Sequence, residues 1–248
     1  SEKNKNAIRR EKLGGLEFKD TTYRYPGADL DTLRGINLNI KEGEKVAILG
    51  RNGSGKSTLM KLASGLFKAS DGLVMYDGVD IKQLHTDDLS GSVGIVLQDV
   101  QLFSGTVREN ITMGREEISQ DDLVHAGKLS GLDEFISKIP GGYDLQLSDG
   151  GKGLSGGQRQ AIALARAIVH KPSHYILDEP TSAMDMNAEN LFINQVRSIL
   201  QESTMLIVTH RMPLLSLVDR IIVMNEGQIV DDGPKEEIIQ KLNQSRQS

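Results

Sequence analysis

Apolar residues recur along this chain in two rhythms. Leu16 and Phe18, then Ile36, Leu38 and Ile40, stand at period two and predict strands, with Tyr25-Pro26-Gly27 as a turn between them. Lys41-Glu42-Gly43-Glu44 is a second turn. Short unbroken apolar runs at 46–49, 73–76, 93–97, 175–177 and 205–208 have the length of buried strands. Residues 220–224 and 228–230 flank Asn225-Glu226-Gly227 as a closing hairpin. The helical rhythm runs through 58–63, through Leu123, Val124, Ala126 and Leu129 behind Asp121-Asp122, and from Ala161 through Ile162, Leu164, Ala165 and Ile168 to Val169. It returns over 236–242. Strands alternating with helices predict an α/β fold. Residues 106–139 read as helical, and about 99–158 as a helical subdomain set between strand-bearing parts.

Two glycine-rich stretches interrupt these rhythms. In the first, Gly50-Arg51-Asn52-Gly53-Ser54-Gly55-Lys56-Ser57-Thr58 follows a strand and opens a helix. Glycines let backbone N–H groups turn inward around an anion, and the helix start adds its positive end. Lys56 is placed for outer phosphates, and the Ser57 hydroxyl for Mg²⁺. In the second, Asp149-Gly150-Gly151-Lys152-Gly153 leads to Leu154-Ser155-Gly156-Gly157-Gln158. Ser155 takes an N-cap position, so this helix start is also anion-receptive, or is a plain serine cap.

Further polar groups fall at strand ends. Asp178-Glu179 closes the run 175–177, where two carboxylates are costly unless used. Beside a phosphate loop, the first is expected near Mg²⁺ and the second is placed to polarise water. Gln98 ends the run 93–97, in a position open either to ligand or to solvent. His210 follows Thr209 and would bond a terminal phosphate or simply pack. Tyr25, by residue type alone, is a packing aromatic as readily as a base-stacking one.

Composition narrows the classes. The 248 residues include no Cys, which removes disulfides and thiolate metal sites. Aromatic content of 4% and a net charge of −5 argue against a large nucleic-acid footprint. No run of 18 apolar residues is present, and no signal peptide is visible. The polar opening from Ser1 to Lys12 reads as a linker, so the expected organisation is a linker over 1–15, a domain over 16–242 and a polar tail over 243–248.

With these motifs in place, the chain resembles the nucleotide-binding domain of ATP-binding cassette (ABC) transporters from about Leu16 to Leu242. Leu154-Ser155-Gly156-Gly157-Gln158 matches that family's signature letter for letter. The resemblance implies a RecA-like P-loop NTPase core with an N-terminal antiparallel β subdomain and an inserted α-helical subdomain. It also implies ATP and Mg²⁺ as cofactors. Tyr25 looks like the adenine-stacking aromatic and Gly50 to Thr58 like the Walker A loop. Gln98 resembles the Q-loop residue near Mg²⁺, Asp178 the Walker B metal carboxylate, Glu179 the general base and His210 the switch histidine. Ser155, Gly157 and Gln158 look like residues facing the γ-phosphate of ATP on a neighbouring chain. Ser182-Ala183-Met184-Asp185 resembles the D-loop, with Met where Leu is usual. A head-to-tail dimer around two ATP is therefore implied.

Leu102-Phe103-Ser104-Gly105-Thr106-Val107-Arg108-Glu109-Asn110-Ile111 looks like the exporter version of its segment. Gly50-Arg51-Asn52-Gly53-Ser54-Gly55-Lys56 and His210-Arg211-Met212-Pro213-Leu214-Leu215 look most like type I secretion ATPases, which export RTX toxins or adhesins. That branch implies a transmembrane domain in the same full-length chain, a periplasmic adaptor, an outer-membrane channel, and a place at the cytoplasmic face of a bacterial inner membrane. One departure stands out: Asp149-Gly150-Gly151 replaces the Glu-Arg-Gly usual in such exporters. A lipid or drug exporter half is the alternative, and a soluble ABC-type ATPase a more distant one. Heptads and a second cassette, marks of the soluble branches, are absent from this sequence.

Overall fold

The computed structural model describes residues 8, 9 and 12–245. Four of the five continuous apolar runs become parallel strands of a six-stranded sheet: β3 (Lys45–Gly50), β6 (Val93–Val96), β9 (His174–Asp178) and β10 (Thr204–Val208). They are joined by β11 (Arg220–Asn225) from the expected closing hairpin, while the run 73–76 falls in an antiparallel sheet. β12 (Gln228–Pro234) joins antiparallel at one edge, and the order is β12-β11-β3-β10-β9-β6. The central residues of the parallel strands are apolar on both faces because both faces are covered. Ala47, Leu177, Ile207 and Ile221 point into one core; Val46, Ile48, Ile176, Leu206 and Ile222 point into the other.

The second core lies between this sheet, helix α1 (Lys56–Ala63) and a four-stranded antiparallel sheet. That sheet holds β1 (Leu16–Tyr23), β2 (Leu33–Ile40), β4 (Asp71–Tyr76) and β5 (Val79–Asp80), in the order β2-β1-β4-β5. The period-two residues Leu16, Phe18, Ile36, Leu38 and Ile40 all face inward. Two of its strands follow the P-loop in sequence, so the antiparallel unit is not built from the N-terminal stretch alone. Helix α2 (Thr86–Ser92) leads from it into β6.

The first core is closed by α6 (Gly156–Ile168) and α7 (Met186–Ile199). The 106–139 stretch is broken into α3 (Val107–Thr112), α4 (Gln120–Leu129) and α5 (Asp133–Ile136). Met113 ends α3 in a left-handed conformation, and the Ser119–Asp122 capping box starts α4 afresh. A two-stranded pair, β7 (Gly105–Thr106) with β8 (Gln146–Leu147), ties the ends of this region together. Helix α8 (Lys235–Ser245) packs on β12.

At the N-terminus, Leu13 is fully buried and the Gly14 N–H donates to Asp77 Oδ2 at 2.8 Å. The packed chain thus reaches back before Leu16, into the stretch expected as linker. Most of residues 1–11, and 246–248 of the expected tail, lie outside the described residues. Among the described residues, no helix is long and apolar enough to cross a membrane.

Candidate functional site

Strand register builds the site. Val208 of β10 pairs with Ile48 of β3 on one side and with Asp178 of β9 on the other. The chain leaves these three strands at one edge, delivering Gly50, Glu179 and Thr209-His210 together, the usual ligand edge of an open α/β sheet. Val96 of β6 pairs with Leu177, so Gln98 reaches the same edge. An open cleft of about 760 Å³ results. Tyr25, Asn52, Gly53, Gly55, Lys56, Ser57, Thr58, Gln98, Asp178, Glu179 and His210 line it.

The loop 50–55 wraps around the Lys56 amine. Nζ donates to Gly50 O at 2.7 Å, Arg51 O at 2.8 Å and Ser54 Oγ at 3.4 Å. Burial lowers the Lys56 pKa, and the charges of Asp178 and Glu179 oppose that fall. Gly55 opens α1 at φ +101°, and a Cβ there would stand 2.7 Å from Leu33 Cδ2. Only glycine meets both demands. A lysine amine held by neutral oxygens, beneath a helix start, fits the phosphates of a nucleotide. Tyr25 stands at the cleft rim, with its hydroxyl 3.1 Å from Thr58 Oγ1 and its ring edge-on to Tyr23 and Phe67.

Asp178 is 2% exposed. Burial pushes its carboxyl up, while a hydrogen bond from Ser57 and the Lys56 charge pull it back. Ser57 and Asp178 would give Mg²⁺ two hard oxygen ligands. Among the described residues there is no cluster of three metal-binding side chains.

Glu179 follows with φ +50°, a strained setting for a residue with a side chain. Burial raises its pKa, and the His210 charge opposes the rise. Its Oε1 is buried and accepts no hydrogen bond, while Oε2 accepts the His210 N–H at 3.4 Å.

The signature lies elsewhere. Ser155, Gly157 and Gln158, with Met184 and Asp185, line a separate hollow of about 360 Å³ that shares no lining residue with the cleft. Ser155 Oγ accepts the Gln158 N–H, and Gln158 Oε1 accepts the Ser155 N–H at 2.9 Å. The Gln158 side chain is thus committed to capping its own helix. Asp185 is not at the cleft either; it caps α7 by accepting the Ala188 N–H at 2.8 Å. Residues 149–151 form one 3₁₀ turn, with Gly151 at φ +68° and packed on Leu102.

A family model described as ABC transporter matches residues 33–182. The chain belongs to the ABC transporter family. Over 226 residues it is 41% identical to the cyclolysin secretion/processing ATP-binding protein CyaB of Bordetella pertussis, covering 91% of this chain and 32% of that protein. It is 40% identical over 230 residues to the leukotoxin translocation ATP-binding protein LktB of Mannheimia glucosida, covering 93% and 32%. The chain therefore spans about a third of the length of these relatives. A solved bacterial Atm1-family ABC exporter with ATP bound superposes with TM-score 0.86 at 30% identity, over 96% of this chain and 41% of that one. The fold is that of an ABC ATPase domain, and family membership makes ATP its ligand.

Within this ABC domain, polar residues beyond the recognised motifs brace the site. Gln160 of α6 bonds the loop after β9. Glu189 of α7, 3% exposed, accepts from Thr181 Oγ1 at 2.5 Å and from Arg211 at 3.1 Å. Arg211 also donates to Ser182 O and lines the cleft. The signal was present in spacing: Gln160 stands in the stripe of Leu164 and Ile168, and Glu189 in that of Phe192, Ile193 and Val196. A polar residue on a buried helical stripe calls for a polar partner.

Proposed function

We propose that this domain is the ATP-hydrolysing motor of a type I protein exporter, working as a head-to-tail pair around two ATP. The observation that carries the catalytic part is the unbonded Oε1 of Glu179 in the cleft beside Asp178 and Lys56. A carboxylate with raised pKa and a free oxygen is equipped to accept a proton from an attacking water. Lys56 and the loop around it bind and orient the phosphates, and Tyr25 offers its ring to the adenine. His210 and Gln98 would face the outer phosphate from the ends of β10 and β6, on either side of β9. Mg²⁺ held at Ser57 and Asp178 would neutralise phosphate charge.

Pairing follows from the two separate anion-receptive helix starts. The hollow of Ser155, Gly157 and Asp185 is complete in one chain yet lies apart from that chain's P-loop cleft. Two copies related by a two-fold axis would bring each signature to the other's ATP. ATPase rate per milligram against concentration of the isolated domain, with Mg²⁺, tests this. A rise with concentration supports the shared site; a constant rate from a demonstrated monomer removes it.

The cargo class rests on the two toxin-export relatives, which are more similar in sequence than the Atm1-family exporter. Those similarities support a transmembrane domain as partner and a place at the cytoplasmic face of a bacterial inner membrane; the type I reading adds an adaptor and outer channel reached through that domain. Chain upstream of Ser1 containing about six spans of ~20 apolar residues would support it. A full gene lacking such spans, with none encoded beside it, would sink the exporter assignment.

A further inference from the structure

We propose that Gln160 is a positioning residue for Glu179, fixing from the signature helix the backbone that aims this carboxylate into the cleft. The inference rests on the reading of Glu179 as general base. Gln160 is 7% exposed and sits near the start of α6. Its Nε2 donates to Glu179 O at 3.1 Å and to Ser182 Oγ at 3.1 Å, while its Oε1 accepts the Ala183 N–H at 3.0 Å. The carbonyl of Glu179 can only accept and the N–H of Ala183 can only donate, so the amide has one orientation. Both its donor hydrogens and its acceptor serve the segment 179–183.

Glu179 needs such restraint. At φ +50° its backbone occupies a region that persists only where the surroundings over-determine it. Its N–H is held by Val208 O at 2.8 Å. Its carbonyl accepts from Gln160 and from the Ser182 N–H at 3.2 Å. Among the described residues, Gln160 supplies the side-chain hydrogen bond to the Glu179 backbone itself, while Glu189 and Arg211 hold Thr181 and Ser182 further along the loop. Its helix begins at Gly156, next to the Ser155 cap, and Ala183 O lies 3.6 Å from where a Gly157 Cβ would be. One buried amide therefore joins the helix start proposed to receive the second copy's ATP to the base that serves this chain's own.

Replacing the amide frees the Glu179 carbonyl without touching nucleotide. For Gln160→Met, which keeps the volume, and Gln160→Ala, which does not, kcat should fall at least tenfold. KM and equilibrium affinity for ATP should stay within threefold. The double variant Gln160→Met with Glu179→Gln should be no slower than Glu179→Gln alone, because residues acting as a unit are not additive. An unchanged kcat in both single variants overturns the inference. So does a further tenfold loss in the double variant, or a parallel fall of ATP affinity, kcat and melting temperature, each of which marks a general structural role. Glu179→Gln at full activity would instead remove the base reading itself.

Discussion

His210 Nε2 stands 3.4 Å from Glu179 Oε1, and the His210 backbone N–H donates to Oε2 of the same carboxylate at 3.4 Å. Two different strands, β9 and β10, supply the pair, and their register holds it. The contact is long and leaves Oε1 without a hydrogen bond. Glu179→Gln should therefore keep ATP affinity within threefold and cut kcat by about 10²–10⁴, the range for a general base. Stopped-flow phosphate release measures the rate and nucleotide titration the affinity. Full activity in this variant removes Glu179 as base.

The same carboxylate sets a pH dependence. Burial raises its pKa, so the deprotonated base is scarcer at low pH than an exposed glutamate would be. The acid limb of kcat/KM should lie above the usual carboxylate range, with activity climbing as pH rises through it. A limb at or below about 4.3, the ordinary glutamate value, contradicts the placement of Glu179.

Lys56→Ala removes the charge at the centre of the P-loop together with the bonds to Gly50 O and Arg51 O. ATP affinity should drop at least tenfold while the fold persists. Tyr25→Phe loses only the hydroxyl contact to Thr58 Oγ1, a change of about 1 kcal/mol, so affinity should fall less than about tenfold. Fluorescent-nucleotide titration separates the two, and equal losses would contradict the division of roles.

Ser155→Arg places a long cation in the hollow that lies apart from the cleft. Hydrolysis should be lost while the monomer binds ATP as before. Loss of binding in the monomer would contradict the shared-site arrangement.

The His170 ring nitrogens are buried, and burial, aided by the Arg115 charge and opposed by the backbone at Arg166 and Val93, lowers its pKa to about 4. The unfolded ring titrates near 6.5, so between these values the unfolded state binds more protons. Stability from this site is full above about pH 6.5 and is lost as pH falls through about 4, a swing of roughly 3 kcal/mol. His170→Phe should flatten that part of the difference in melting temperature between pH 7 and pH 4.5. An unchanged profile would show that His170 does not titrate on unfolding.

The chemistry of each local motif was legible in the residues alone. The glycine spacing of 50–58, the Ser155–Gln158 cap and the carboxylates closing β9 each depend on residues within one turn or one strand end. Their geometry is fixed by φ preferences, side-chain reach and helix polarity, all local. The period-two stretches marked half-buried strands, and the continuous apolar runs marked fully buried ones except at 73–76, which lies in β4 with Leu73 exposed. Tertiary structure decided which motifs meet. Strand order sets β10 between β3 and β9, and so brings His210 to Glu179 across 31 positions of sequence. It carries β4 and β5 back into the antiparallel sheet, divides 106–139 into three helices, and keeps Ser155 and Asp185 away from Lys56. Neighbour choice in a parallel sheet follows from burying both faces under helices that are themselves far apart in sequence. For the same reason, the Gln160 amide found its partners only once α6 had packed beside the end of β9.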